Sequence, residues 1–501
     1  MASKPNKDEN ALSTANRSDE QEEVIHLDGR MLEGGGQLVR NAVALSALTG
    51  FPITISNIRG NRQGRKGLKG SHAAAIGFIA DICQGEVVDG HVGSQKMTFY
   101  PRKRDSSQNH EQNVSSASLQ TILSKRDGPT IKPEYNVHQH TAGSISLVFQ
   151  ALYPYLVYAS SLSTTAHTKE PIKVHITGGT NVTFSPSFDY IEQVLVPNLR
   201  TLGLPKLTAR LHKRGWSTGP TDLGSVTFDV YPLERPIKSQ TKHWFPILKL
   251  QKYRRTAVTK VDITILAPDI NIQDQEAHRN RQDRRRAKHE RARNYDYDMF
   301  PNWTIREYLE EQSQKSLRKA VKRLDDSIVS GTRPDDDEES GQKVPIGIHL
   351  SEATSHHTHI YILLVAHMSN GLTVGSDALF NGYEKRDGRN KGNTVATLNS
   401  LVDSCVTSLV EELSGLKKDA DGKIQPAVDV HMRDQLIIFE ALGLLGESAK
   451  QNHEAGVLKK LDGEDERYWS LHTRTARWVC EQILGQGIWN TPEPSSISRN
   501  S

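Results

Sequence analysis

Apolar residues recur along this chain in two periods, and the places where the period changes divide it into rounds. From Val24 a strand pattern runs into a glycine turn. Leu38, Val39, Ala42, Val43, Leu45 and Leu48 then follow helical spacing, with Gly50 as a C-terminal stop. Pro52 to Ile58 alternates as a strand does, Leu68 to Cys83 reads as a second helix, and Val87 to Tyr100 as two short strands. A second round starts at Ala142, with an apolar helix from Ser146 to Tyr158, a strand from Ile172 to Ile176, a helix from Tyr190 to Leu202 and a strand from Ser225 to Val230. A shorter third round has helices from Asp434 to Leu445 and from Thr473 to Leu484. The recurrence of two helices with several strands predicts internal repeats and an α/β fold with mixed sheets.

The stretches that break the pattern set the domain organisation. Residues 1–23 are rich in Ser, Asn, Asp and Glu and read as a disordered tail, with 491–501 as a second tail. Residues 24–233 form the first two repeats of a core domain, interrupted by a polar loop at 102–136, and 427–490 form its third repeat. Between them, 234–426 reads as an inserted domain with its own strands, Ala257 to Leu266 and His359 to His367, and a helix from Thr394 to Leu413. Its charged extension, 275–343, holds Arg279, Arg281, Arg284, Arg285, Arg286, Lys288, Arg291 and Arg293, answered downstream by the acidic run Asp335 to Glu339.

Composition narrows the classes without choosing one. A formal net charge of +4 is compatible with a polyanionic partner. The cysteines Cys83, Cys405 and Cys480 have neither disulfide-framework nor metal-type spacing, so a reducing compartment is expected. No apolar run is long enough to span a bilayer, and residues 1–23 are too polar for a signal peptide.

Two segments near opposite ends carry the candidate chemistry. In Glu33-Gly34-Gly35-Gly36-Gln37-Leu38-Val39-Arg40, glycines let the backbone approach a ligand and the helix that follows aims free N–H groups at an anion, while Glu33 offers oxygen to a divalent cation. The plain alternative is a tight strand-to-helix turn with a solvated carboxylate. Arg59 and Arg62, at a strand end, could clamp phosphate oxygens or simply face solvent. His472 shares a helical stripe with Ala476, Val479 and Ile483, where it is either a nucleophile or a capping or core residue. Asp434 in a first helical turn is good dipole chemistry by itself. His356, His357 and His359 read as polar residues at the start of a strand, with His357 and His359 on one face. The arginine-rich run is a solvated helix face, an RNA-phosphate contact or a nuclear import signal.

Taken together, these motifs resemble the RNA 3'-terminal phosphate cyclases, catalytic branch, eukaryotic type. Glu33 to Arg40 is similar to that family's opening motif, and His472-Thr473-Arg474-Thr475-Ala476 with Glu481-Gln482-Ile483 to its nucleophile helix. Arg59, Arg62 and His72 match, while Lys66 and Ser71 stand where the family has proline and glutamine. Ala142-Gly143-Ser144 with Gln150, and Gly178-Gly179-Thr180-Asn181 with Pro186, resemble its second repeat. Arg214-Gly215-Trp216-Ser217-Thr218-Gly219-Pro220 lacks the family's glycine cluster, and in His431-Met432-Arg433-Asp434-Gln435 a histidine replaces the tyrosine.

The resemblance implies a fold of repeated two-helix, four-stranded-sheet units forming a large core domain, with a smaller inserted α/β domain. It implies an enzyme, a ligase that uses ATP and a divalent metal, Mg or Mn, to convert an RNA 3'-phosphate end to a 2',3'-cyclic phosphodiester. His472 would be the catalytic nucleophile, passing through a histidine–AMP adduct. Glu33, Gln37, Arg40, Arg59, Arg62, His72, Gln150, Pro186, His431, Asp434 and Gln435 would bind the nucleotide, with Glu33 also holding the metal. The expected partner is RNA and not a membrane. The expected compartment is the nucleus (nucleoplasm), with the cytoplasm second. Two other readings stay open: a catalytically inactive relative acting in ribosome biogenesis, and a non-catalytic RNA-binding protein.

Overall fold

The computed structural model describes residues 24–101, 131–162, 170–233, 248, 250, 253–275, 302–329, 344–381, 394–414, 427–446, 466–485 and 488–489. The expected tails, the basic run 279–293, the acidic run and most of the loop 102–136 lie outside them.

Two units share one plan. In the first, β1 (Ile25–Asp28), α1 (Gly36–Thr49), β2 (Ile53–Ser56), α2 (Gly70–Cys83), β3 (Glu86–Val88) and β4 (Met97–Tyr100) give a four-stranded sheet in the order β1-β2-β4-β3. β1 and β2 are parallel, and β4 is antiparallel to both β2 and β3. In the second, β5 (Glu134–Val137), α3 (Ile145–Leu162), β6 (Ile172–Gly178), β7 (Leu207–Lys213) and β8 (Gly224–Val230) repeat the order as β5-β6-β8-β7, again with one parallel pair. The helical stretch after β6 runs from Phe188–Tyr190 through a π-helical turn, Ile191–Leu195, to Val196–Thr201; together these are α4. Pro197 has no N–H to return to Gln193, so the backbone widens there, and Thr373 Oγ1 donates to the freed Gln193 carbonyl at 3.4 Å.

A third sheet comprises β9 (Val258–Ala267), β10 (Ile346–Ala353), β11 (Tyr361–Met368) and β12 (Thr373–Leu379), in the order β10-β9-β11-β12. Strand alternation splits its faces between two cores. Tyr361, Leu363 and Val365 of β11 join the main core, whereas Ile362, Leu364 and Ala366 join a second core. That second core is completed by α5 (Ile305–Val321) and α6 (Thr394–Ser414). α7 (Val430–Gly446) and α8 (Leu471–Leu484) close the chain. α1 packs against α2, α3 and α8, and α7 packs against α8.

The expected mixed α/β fold holds. Four corrections concern individual elements. β5 falls inside the expected loop 102–136, because four residues alternating exposed and buried are easily lost at the end of a polar run. β7, α5, β10 and β12 were not anticipated. α1 is buried on nearly every side rather than along one stripe, as befits a helix with neighbours all round. His357 and His359 share no strand face, since β11 begins only at Tyr361 and the histidines sit in the turn before it.

Candidate active site

The site is built where the first and last parts of the chain meet. Gly34 has φ +58, and a Cβ there would stand 1.8 Å from the Gly29 carbonyl oxygen, so only glycine makes this turn. The turn delivers Glu33 to the first turn of α8. The Glu33 N–H donates to Thr475 Oγ1 at 3.2 Å, and one carboxylate oxygen lies 3.0 Å from His472 Nδ1. The other oxygen is paired with the Arg62 guanidinium. Glu33 is 6% exposed, which removes the alternative of a solvated carboxylate. Ser470 caps α8 by accepting from the Thr473 N–H at 3.2 Å, fixing the backbone that carries His472. Ala476, Val479 and Ile483 bury the rest of the stripe, while the His472 side chain remains 49% exposed. This is the placement a reactive imidazole needs and a core histidine lacks.

Burial pushes the His472 imidazole toward its neutral form, with Arg62 and Arg40 adding to that push and the Asp434 carboxylate opposing it. Burial likewise raises Asp434, against the pull of His472 and Arg40. His72 is buried; burial first, then Arg40, Lys69 and Arg59, depress it to about 3. Its Nδ1 accepts from the Lys69 N–H at 3.2 Å, and a Cβ at Gly36 would come within 2.5 Å of its Nε2, so His72 closes over the head of α1. Arg40, brought down to about 10 chiefly by burial, stays cationic and donates to Gln37 Oε1 at 2.6 Å. Arg59, at φ +58, donates to the Arg65 carbonyl at 2.6 Å. Arg40, Arg59, Arg62 and Lys69 thus converge on a region whose nearby acids are Glu33 and Asp434, and Lys69 is held below its usual value by burial and by those three arginines. Such an excess of fixed positive charge suits a polyanion.

Beside this cluster lies a narrow cleft lined by Gln37, Arg40, Asn41, Phe149, Gln150, Tyr153, Leu195, Leu199, Gln435, Ile438 and Phe439. Gln37, Arg40, Gln150 and Gln435 were expected at a nucleotide and are brought together here from three helices. The Gln37 side-chain amide donates to the Asp434 carbonyl at 3.5 Å, tying α1 to α7. Seven expected residues do not line this cleft: Glu33, Arg59, Arg62, His72 and Asp434 belong to the charged cluster beside it, and Pro186 and His431 lie elsewhere. Pro186 is half-buried in the loop before Ser187, and His431 is exposed at the start of α7, its ring edge-on to Tyr190 at 6.4 Å. Missed were Thr475, Lys69 and the apolar and amide wall from Asn41, Phe149, Tyr153 and Phe439. The readable signal was a shared helical face, with Gln37, Arg40 and Asn41 in α1 echoed by Gln435, Ile438 and Phe439 in α7.

Among the described residues no three or more His, Cys, Asp or Glu gather as a metal cluster. Both Glu33 oxygens face cationic or imidazole nitrogens, so Glu33 could hold magnesium or manganese only once Arg62 turns away, the ion taking its other ligands from water and phosphate oxygens.

Arg214 has a different job. It forks onto Asp189 at 2.9 and 3.0 Å and onto Glu352 at 2.9 Å, joining α4 to β10.

A βαβαββ unit built twice, with a buried carboxylate held between an arginine and a half-exposed histidine beside a polar-walled cleft, defines an α/β protein with a preformed anion site. A family model described as RNA 3'-terminal phosphate cyclase matches residues 31–488, and the chain belongs to that family. It is similar to the RNA 3'-terminal phosphate cyclase of Drosophila melanogaster, 31% identical over 214 residues, covering 43% of this chain and 48% of the relative. The proteins of the same name from Methanosarcina acetivorans and Pyrococcus furiosus are each 36% identical, over 38% of this chain and 44% and 46% of theirs. The matched segment therefore spans about half the length of these curated relatives. No helix among the described residues is long and apolar enough to cross a membrane.

Proposed function

We propose that this protein uses ATP to convert an RNA 3'-terminal phosphate to a 2',3'-cyclic phosphodiester, with His472 as the covalent nucleophile. The observation that carries this reading is the Glu33–His472 contact of 3.0 Å, made beside the Gln37, Arg40, Gln150 and Gln435 cleft. A neutral imidazole with its proton on Nδ1, the nitrogen nearer Glu33, would keep a lone pair on Nε2. That nitrogen would attack the α-phosphorus of ATP, forming a P–N bond as the P–O bond to pyrophosphate breaks. Arg40, Arg59, Arg62 and Lys69 would balance the developing charge. Glu33, once Arg62 turns to the phosphates, would hold a divalent cation, whose chemistry there would be to offset negative charge. An oxygen of the RNA 3'-phosphate would then displace the imidazole, breaking P–N and giving an RNA–adenylate anhydride. Closure follows when the vicinal 2'-oxygen attacks the 3'-phosphorus, AMP leaves and the hydroxyl proton passes to solvent; the hydroxyl's proximity makes this step easy.

The test is to incubate the protein with ATP, magnesium or manganese, and an RNA carrying a labelled 3'-phosphate. The expected product resists phosphatase and yields its label only after acid opening. RNA that stays phosphatase-sensitive while binding the protein would favour the non-catalytic reading instead.

A further inference from the structure

Phe184 is 98% exposed, whereas the next most exposed large apolar side chain among the described residues, Val92, is 62% exposed. Its φ is +59, a region that L side chains adopt at a cost, and no burial of its ring offsets that cost. The loop that carries it is nonetheless well held. Thr180 and Asn181 donate backbone N–H groups to the Gly215 carbonyl at 2.8 and 2.9 Å, and Thr183 Oγ1 donates to Asn381 Oδ1 at 3.0 Å. The backbone beneath the ring is therefore held, and the ring itself is presented to solvent.

Beside it lies an open cleft of about 500 Å³, walled by Thr183, Ser217, Thr218, Gly219, Thr358 and Asn381. The wall is hydroxyls and an amide, not the aliphatic lining of a peptide groove. Thr218 Oγ1 is buried there without a hydrogen-bond partner. Behind it the Trp216 and His359 rings stack at 4.6 Å and 3°, and the Thr218 carbonyl lies 2.9 Å from His359 Nε2, so the wall is rigid. The loop also connects to the catalytic region. Ser187 begins α4, which supplies Leu195 and Leu199 to the nucleotide cleft, and Tyr190 OH donates to Asp429 at 2.6 Å just ahead of α7.

We propose that Phe184 is a stacking platform for one nucleobase of the RNA strand, with the Thr183, Thr218 and Asn381 side chains meeting the base's polar edge. The proposal rests on the RNA-end reading above and adds to it a site for the body of the substrate. Stacking on an aromatic ring suits any base, because every base has a π face, and the polar wall supplies donors and acceptors that a nucleobase edge can pair with.

The test measures the affinity of the full-length protein for a short single-stranded RNA ending in a 3'-phosphate, with an abasic residue walked along it one position at a time. Phe184→Ala is expected to weaken binding by roughly ten- to a hundredfold, the range of one stacked base. It should do so equally at every salt concentration, since stacking releases no counterions. One abasic position should weaken the wild type similarly and leave Phe184→Ala unaffected, and Phe184→Trp should restore affinity. Labelling of His472 by ATP should be unchanged in both variants. RNA affinity that Phe184→Ala leaves intact, or losses that simply multiply at every abasic position, overturn the platform while the cyclase reading stands. RNA binding that depends on Phe184 in a protein that ATP never labels would uphold the platform and sink the cyclase reading.

Discussion

Glu33 does two things with one carboxylate. One oxygen faces Arg62 and the other lies 3.0 Å from His472 Nδ1, so the carboxylate stands between the guanidinium and the imidazole. Glu33→Gln keeps the shape and loses the charge, and ATP-dependent labelling is expected to slow by roughly ten- to a hundredfold, the usual effect of losing a carboxylate that orients a functional histidine. Thermal stability should change little by comparison; a labelling rate equal to wild type across a magnesium and manganese titration would contradict the role. His72 gives a second residue-scale prediction, because its folded-state value near 3 lies below the ordinary 6.5. Between those values the unfolded chain binds the proton and the folded one does not. The contribution to stability is therefore complete above pH 6.5 and lost as pH falls toward 3. In denaturant titrations, wild type should lose about 2 kcal/mol relative to His72→Gln between pH 7 and pH 5. A gap independent of pH would show that His72 is not held neutral.

At the scale of elements, the turn before α1 decides whether the site exists. Gly34→Ala forces a Cβ against the Gly29 carbonyl at positive φ, so it should cost at least about 1–3 kcal/mol and abolish labelling. Gly77→Ala, in the interior of α2 with nothing within 4 Å of its Cβ, is the control and should stabilise by roughly 0.5–1 kcal/mol. Comparable losses in both variants would mean that the turn has no special geometry. This contrast also shows what could be read locally. Long helices with a clear apolar period, such as α1, α3 and α8, were legible, as were the glycine turn and the place of His472 at the start of a helix. β5 and β7 were not, because their short alternations sit among polar residues. α5 was hidden by low hydropathy, although its capping box, Thr304 with Glu307, was there to be read. The cleft was legible only in part. Gln37, Gln150 and Gln435 are far apart in sequence, so their meeting is a tertiary fact that no local pattern encodes; the resemblance named them, but the apolar wall around them came from packing alone.

At the scale of the molecule, the third sheet serves two cores at once, and a buried arginine helps to lock its surroundings. Arg255 binds the Glu412 side chain and carbonyl at the end of α6, the Val428 carbonyl ahead of α7 at 2.7 Å, and Tyr468 OH ahead of α8 at 2.5 Å. Arg255→Met would leave the buried Glu412 carboxylate without its cation, held only by Tyr468 OH at 2.5 Å, and should cost about 3–5 kcal/mol. Arg255→Met combined with Glu412→Leu should recover most of that loss, because the pair is then replaced by apolar packing. Equal instability of the single and double variants in urea would show that the arginine's carbonyl contacts, and not the ion pair, hold these segments.

Whether His472 attacks ATP is decided by incubation with ATP labelled at the α-phosphorus. Wild-type protein should acquire an acid-labile, hydroxylamine-sensitive label that maps to His472 and is discharged by RNA with a 3'-phosphate, whereas His472→Ala should fold normally and take up none. Wild-type protein that stays unlabelled with either metal, or a His472→Ala variant labelled as fully as wild type, would contradict that attack.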